Sequence, residues 1–462
     1  MLILVTMNIS SLINNQRQYF NSGQSRDVKF RIQQLKKLKS VFENYEDECL
    51  LALAADLGKS RTEAYLTEIV LIRDELKMAI KNTKKWSKSK RVPTPIILAV
   101  ASSYRQPEPY GVTLIVSPWN YPIALVMAPL IGVISAGNTA VIKPSELAPA
   151  SSTVITKIIS ECFAPDYVTT VEGGVEVATE LLQHRYDYIF FTGGTKVGQV
   201  YYEAAAKNLT PVTLELGGKS PCVVDKNVNI NETAKRIVFG KYLNCGQSCT
   251  APDYILVHAS VKNDLINALK KNVIEMYGEN PEDNDEYPRI ISDGHFDRIC
   301  SLIDEKHTVF GGNSNKEKRY ISPTFIDLDS SDHSIMNEEI FGPVLPILSF
   351  DYINEVKNII KAKEKPLALY IFTKNRFFSD DLLQNISFGG ACVNDTMTQY
   401  ANPNLPFGGV GHSGIGDYHG EYSFKTFSHY KSIFKKSMTF DFTRFVRYAP
   451  WKGKFDFIKK IV

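Results

Sequence analysis

No Asp, Glu, Lys or Arg occurs between Gly111 and Ile142, and so long an uncharged run raises the question of a membrane span. Pro118, Pro122 and Pro129, with Asn120 and Asn138 at polar turns, speak against one. A buried strand, a buried helix and a second buried strand account for the run better. The opening Met1-Leu2-Ile3-Leu4-Val5-Thr6-Met7 lacks the basic flank of a secretory signal, the first basic residue being Arg17. Met1 and Met7 both stay open as the natural start. The chain reaches Val462 without a long apolar stretch, so no transmembrane anchor and a cytoplasmic location are expected. A strong charge of one sign is also lacking. The formal net charge is +3 with Lys and Arg scattered, which gives no reason to expect nucleic acid. The basic, aromatic stretch from Lys431 to Lys460 reads as a solvated face before a membrane contact. Seven cysteines without framework spacing indicate a reducing compartment, not a disulfide scaffold. The eight histidines do not cluster, so the neighbours Cys245 and Cys249 lack partners for zinc, and no metal is expected. There is no internal repeat and no low-complexity segment.

What is present is a large, ordinary globular composition, 462 residues with 44% hydrophobic and 22% charged, enough for two or three domains. The first eighty-odd residues read as helices. Ile32, Leu35, Leu38 and Phe42 repeat at helical spacing, and Gly58 is a plausible stop. Arg61 to Trp86 is a second amphipathic stretch, broken by Val92-Pro93-Thr94-Pro95, after which Ile96 to Tyr104 reads as an extended apolar arm. From Gly111 the pattern alternates. Strands are expected at Val112–Val116, Ala140–Ile142, Tyr167–Val171, Tyr188–Phe191 and Val212–Leu214. Helices are expected at Ile123–Ser135, Ala150–Phe163, Val175–Gln183 and Lys196–Lys207. Short apolar strands alternating with helices imply the α/β class, with a parallel sheet covered on both faces. A second alternating set runs from Pro221 to about Asn394, and a tail from Ala401 follows, rich first in glycine and then in aromatics.

Several segments carry chemistry. Asn244-Cys245-Gly246-Gln247-Ser248-Cys249 lies between a helix and the strand Tyr254-Ile255-Leu256-Val257, where a partly accessible thiol can act as a nucleophile. Leu214-Glu215-Leu216-Gly217-Gly218-Lys219 offers a carboxylate framed by glycines. Ser117-Pro118-Trp119-Asn120-Tyr121-Pro122 offers a side-chain amide suited to an oxyanion. Thr192-Gly193-Gly194-Thr195-Lys196-Val197-Gly198 joins an apolar strand to a helix, and a helix N-terminus attracts phosphate. It is not the usual Gly-x-Gly-x-x-Gly, and alone it is no more than a strand-to-helix turn. Lys143-Pro144-Ser145-Glu146 closes a strand at the edge where open α/β sheets bind ligands. Glu338-Glu339-Ile340-Phe341-Gly342-Pro343-Val344, Asn394-Asp395-Thr396 and the run from Leu405 to Gly416 complete the set.

Together these segments resemble the aldehyde dehydrogenase superfamily, whose signature is Glu-Leu-Gly-Gly-Lys and, some thirty residues on, Gly-Gln-x-Cys. The order of the segments, the shape of Pro406–Gly416 and the chain length most resemble the class 3 branch, short and dimeric. The resemblance runs from about Phe30 to Tyr448. It implies a Rossmann-like cofactor domain from 1–87 and 112–213, an α/β catalytic domain from 214–400, and a small β arm for oligomerisation with a C-terminal tail from 88–111 and 401–462. It also implies Cys249 as nucleophile, Glu215 as base and Asn120 as oxyanion donor. The cofactor, NAD and possibly also NADP, is assigned to Lys143, Glu146, Gly193, Gly194, Thr195, Gly198, Glu339 and Phe341. Glu146 near the ribose 2′ position tilts toward NAD, since a carboxylate repels a 2′-phosphate. Glu339, placed on the nicotinamide ribose, also has a case for sharing the base role.

The reaction implied is oxidation of an aldehyde to a carboxylic acid through a thiohemiacetal and a thioester. Two other readings stay in view: a coenzyme A-acylating dehydrogenase, in which a thiol replaces water, and a non-catalytic protein on the same scaffold. Retention of Glu215 argues against the first, and the presence of both Glu215 and Cys249 against the second. Tyr121, Phe239 and Phe407 are candidate pocket walls. None is basic, so apolar medium-chain or aromatic aldehydes are expected over acidic ones. Many class 3 members carry a histidine a few residues after the Asn-Asp pair. Gln399 stands there, so a titratable group at the pocket mouth is expected to be missing. The arm at Ile96–Tyr104 is expected to pair with a second copy, making a homodimer.

Overall fold

The computed structural model describes residues 8–441 and 443–461. The choice between Met1 and Met7 lies outside them. The uncharged run folds as its apolar pattern dictates. Val112–Val116 is a strand, Ala124–Ala136 a helix buried on every face, and Thr139–Lys143 the next strand. Gly137 ends that helix at φ +98°, and the chain turns back at once into the sheet. Among the described residues no helix is long and apolar enough to cross a membrane.

Two parallel sheets organise the molecule. In the first, five parallel strands lie in the order Val212–Glu215, Tyr188–Thr192, Val112–Val116, Thr139–Lys143, Val168–Thr170, and Gly414–Ile415 pairs antiparallel outside Val212–Glu215. The helices Val28–Asn44, Val70–Trp86 and Ala124–Ala136 bury Leu35, Leu38, Phe42, Ile72 and Leu76 with Ile115 and Ile142 on one face. The helix Ile9–Asn21 sets Ile9 and Ile13 against Val112 and Leu114 on the other. The second sheet runs Thr308–Phe310, Thr324–Leu328, Val344–Phe350, Tyr254–His258, Pro221–Val224, Ala368–Phe372, Gly390–Val393, parallel except for its first edge strand. The chain therefore has the mixed α/β architecture with parallel sheets that alternation implied.

The helix expected from Arg61 to Trp86 is interrupted. Arg61–Ala64 passes through a π-helical turn at Tyr65–Ile69 before Val70–Trp86 resumes α geometry. The arm departs further. Ile96–Leu98 is a short 3₁₀ turn, not extended chain, and Ile96 is 92% exposed. Ala101–Pro109 does form a strand, but one side is taken along all nine residues by Ser428–Lys436 and the other over Ser103–Arg105 by Lys90–Val92, both antiparallel. The tail doubles back along the arm because a long bare strand leaves its amides unpaired. The outer strands of this sheet are thus Ser428–Lys436 and the short Lys90–Val92, and the arm strand lies between them.

The histidine reading also needs correction. His307 and His333, far apart in sequence, meet on one carboxylate. His307 Nδ1 lies 2.7 Å and His333 Nε2 3.0 Å from Asp304 Oδ2. The Ile335 N–H points at His333 Nδ1 (3.3 Å), so Nε2 carries the proton and donates it to Asp304. A metal on Nε2 would need the opposite tautomer.

Candidate active site

The helix Ile230–Tyr242, capped by the Asn229 side chain, ends in a tight turn over Leu243–Gly246. Asn244 and Cys245 sit at φ +52° and +54°, a left-handed conformation costly for residues with a Cβ. Hydrogen bonds hold them there. The Asn244 N–H donates to Glu63 Oε1 (2.7 Å), and Asn244 Nδ2 donates to the carbonyls of Asn120 (2.8 Å) and Gln247 (3.0 Å). Gln247 Nε2 donates to Asn244 and Arg289 carbonyls, and its Oε1 accepts from Ile291 N. Gly246 has φ +73°, and a Cβ there would lie 2.3 Å from the Gly342 carbonyl oxygen. Gly-Gln before the second cysteine is therefore a structural requirement of the turn. It leaves Cys245 wholly buried and Cys249 partly accessible.

The Glu215–Lys219 run is explained in the same way. Glu215 is the last residue of its strand, 2% exposed, with both carboxylate oxygens lacking a hydrogen-bond partner. A Cβ on Gly217 would come within 2.0 Å of Glu339 Oε2, so only glycine lets Glu339 lie there. Lys219 Nζ clamps that loop from below, donating to Asp253 (2.6 Å) and to the carbonyls of Ile335 (2.8 Å) and Glu338 (2.9 Å). Asp253 in turn accepts from Ile340 N at 3.0 Å.

Electrostatics follow from this packing. Burial, and then the charge of Asp417, push the Glu215 carboxyl well above the ordinary range. Glu339 is raised to about 8, by burial first and by Asp253 second, while the Gly218 N–H pulls it back. The Cys249 thiol is raised by burial and by the charges of Glu339 and Glu215, against the N–H groups of Cys249 and Thr250. The sulfur therefore rests as a thiol, and a base must take its proton before it attacks. Glu215 and Glu339 are the carboxylates whose charges it feels.

Cys249 and Glu215 line a cavity of about 470 Å³. Tyr121, Phe239 and Phe407 line it too, with Leu66, Leu125 and Met276 among the apolar walls. No Lys, Arg or His is among its described lining residues. Asn120 is buried just behind this wall, with Nδ2 donating to the Gln247 carbonyl at 3.1 Å. Gln399 is elsewhere, bonded to Tyr370 and Cys392. Two carboxyls do line the cavity, Glu63 and Glu286, and burial pushes the Glu63 carboxyl up to about 7. Sequence reasoning missed Glu63, Tyr400 and Tyr418. Glu63 looks like a solvent-facing helix residue, and no local pattern marks it.

The remaining expected cofactor residues, Phe341 apart, lie at the carboxyl ends of strands in the first sheet. Gly194 caps the helix Thr195–Ala206 without a side-chain hydrogen bond, which leaves the first amides of the helix for an anion. A Cβ on Gly194 meets open space, whereas one on Gly198 would strike Leu216 at 2.6 Å, so Gly198 serves close packing of helix on sheet. Thr192 Oγ1 is buried and unpartnered beside this turn, and Thr195 Oγ1 donates to the His412 carbonyl. Lys143 is 4% exposed and donates to Glu146, whose own pKa falls despite burial because of that lysine. Phe341, at φ +50°, packs edge-on to Trp119 at 5.4 Å. A dinucleotide fits this donor set: free helix amides and an orphan hydroxyl for phosphate, and a lysine–glutamate pair at a strand end for a ribose.

An accessible thiol and a buried carboxyl on one apolar cavity, with a donor set that fits a dinucleotide at the edge of the first sheet, are features shared by cysteine-dependent dehydrogenases. The chain belongs to the aldehyde dehydrogenase family, whose family model matches residues 6–433. It is 48% identical over 447 residues to the 4,4'-diaponeurosporen-aldehyde dehydrogenase of Staphylococcus aureus, covering 96% of this chain and 97% of that one. It is 43% identical to aldehyde dehydrogenase family 3 member A2 of Pongo abelii, covering 97% and 94%. A structure of the substrate-bound state of Staphylococcus aureus AldH superposes with a TM-score of 0.96 at 48% identity, over 98% of this chain and 99% of that chain. The resemblance to class 3 members is thereby established, and with it NAD(P)-dependent oxidation of an aldehyde.

Proposed function

We propose that Cys249 is the nucleophile of this reaction, Asn120 an oxyanion donor and Glu215 the base that activates water. The observation that carries this is the joint lining of one cavity by Cys249 and Glu215, with Cys245 walled off. A base takes the thiol proton, the Cys249 sulfur bonds the aldehyde carbon, and the oxygen gains charge. The Asn120 amide and the Cys249 N–H stabilise that oxygen. When bound, NAD(P) supplies the hydride acceptor that turns the adduct into a thioester. Lys143 and Glu146, the first amides of the helix that Gly194 caps, Glu339 and Phe341 would hold it. Glu215 then removes a proton from water, whose oxygen displaces the sulfur and releases the acid. An unpartnered, apolar carboxylate suits that task, since nothing competes for its oxygens. The preferred substrates are apolar, medium-chain or aromatic aldehydes, because the walls offer no cation to a second carboxylate. Residues 1–87 with 112–213 act as the cofactor domain, 214–400 as the catalytic domain, and 88–111 with 401–462 as arm and tail. The protein is cytoplasmic and a homodimer, an inference supported by the nine-residue open edge at Ser428–Lys436.

The test is absorbance at 340 nm with NAD or NADP and hexanal, benzaldehyde or succinic semialdehyde, without coenzyme A. Signal on the first two with higher kcat/KM is the expected result. A preference for the semialdehyde would overturn the substrate assignment, and dependence on added coenzyme A would overturn hydrolysis. A stable monomer by light scattering at micromolar concentration would overturn the dimer.

A further inference from the structure

Behind the candidate oxyanion amide lies a charged pair that the mechanism does not use. Lys59 and Glu68 are 2% and 0% exposed, and their ion pair closes at 2.8 Å. Taking two charges out of water is costly, and such a pair seldom repays it as stability alone. The remaining contacts of this pair go to the segment that carries Asn120. Lys59 Nζ donates to the Asn120 carbonyl at 3.1 Å and stands 4.1 Å from the centre of the Tyr121 ring. Glu68 Oε2 accepts from Ile123 N at 2.9 Å and Ala124 N at 3.0 Å, at the start of the helix that follows. Asn244 Nδ2 takes the same Asn120 carbonyl, and the Asn120 side chain reaches back to Gln247. Peptide 120 is thus gripped from the helical segment on one side and from the nucleophile turn on the other. Glu68 belongs to the π-helical turn Tyr65–Ile69, an irregularity often found where a helix serves a site.

We propose that Lys59 and Glu68 are positioning residues that aim the Asn120 amide at the reacting carbonyl oxygen. The proposal rests on the reading of Asn120 as oxyanion donor. The pair touches neither substrate nor sulfur; it acts by fixing the backbone from which the amide projects. An oxyanion donor contributes only while it is held in place in advance, so a loosened peptide costs rate more than binding.

The experiment compares Lys59→Met, Glu68→Gln, Asn120→Ala and the double variant Lys59→Met/Asn120→Ala. Two reactions are read: aldehyde oxidation, and cofactor-free hydrolysis of 4-nitrophenyl acetate. The second moves an acetyl group to the same sulfur and then to water, releasing 4-nitrophenol. Lys59→Met and Glu68→Gln are expected to lower kcat roughly 10- to 100-fold in both, with KM within about twofold. Adding Lys59→Met to Asn120→Ala is expected to cost less than about twofold more, because the amide it positions is gone. A full additional loss in the double variant, or near wild-type kcat in folded Lys59→Met, would overturn the proposal. Should Lys59→Met not fold, Glu68→Gln in the Asn120→Ala background carries the same comparison, since it keeps an acceptor for the amides of Ile123 and Ala124. Wild-type turnover in Asn120→Ala would overturn the oxyanion reading itself, and the positioning role with it.

Discussion

Two sides of the site bring the charge of a carboxyl to the Cys249 sulfur, and they are built differently. Glu215 ends a strand of the first sheet and has no hydrogen bond to either oxygen. Glu339 rides on a loop, lies over Gly217, and is pulled back toward its charged form by the Gly218 N–H. One is a bare acid in an apolar wall; the other is a supported acid that titrates near 8. Burial raises both carboxyls, Glu215 with no hydrogen bond to oppose it and Glu339 against the Gly218 N–H. On the proposed mechanism the bare carboxyl would serve the water that enters late, and the supported one would take the thiol proton.

The largest effect should fall on what both walls serve. Cys249→Ala is expected to abolish turnover while leaving cofactor binding intact, as measured by nicotinamide fluorescence. Residual steady turnover in that variant would transfer the nucleophile role elsewhere. Next comes the contrast itself. Glu215→Gln should keep a burst of NADH but slow the steady state by roughly 10²–10⁴-fold, the range for one general base. Glu339→Gln should instead lower the burst rate. Equal loss of both phases in both variants would erase the distinction between the walls.

The pH dependence sharpens it further. In the free enzyme Glu339 loses its proton as pH rises through about 8, so kcat/KM should rise across that range. The limb should persist in Glu215→Gln and vanish in Glu339→Gln. Stability moves the other way. A carboxyl raised in the fold holds its proton more tightly there than when unfolded. Its favourable contribution is complete below the ordinary carboxylate pKa and is lost as pH climbs toward about 8. Glu339→Gln should therefore gain Tm relative to wild type over that interval, and a constant difference would contradict the assignment. The smallest effect belongs to the neighbouring thiol. Cys245 is fully buried and its pKa is pushed up to about 12 by burial, so Cys245→Ala should stay within about tenfold in kcat/KM, or ~1.4 kcal/mol.

Much of this was written in local pattern. The uncharged run from Gly111 to Ile142 has the length, the prolines and the apolar spacing of strand, helix and strand, and it folds so. Gly246 and Gly217 are also legible, since a glycine in a short polar run announces a backbone that side chains cannot follow. Other features depend on residues far apart along the chain, and no window of sequence contains them. His307 and His333 meet on Asp304, Glu63 joins the cavity wall, and Ser428–Lys436 covers the arm strand only once the whole chain has closed. The π-helical turn at Tyr65–Ile69 preserves an amphipathic pattern while shifting its phase, so periodicity passes over it. The sequence by itself determined the class of fold, the turn around Cys249 and the residue types that chemistry requires. Only the tertiary structure decided which carboxylate is bare and which is supported, because a pKa is set by what packs against a group and not by its neighbours in the chain.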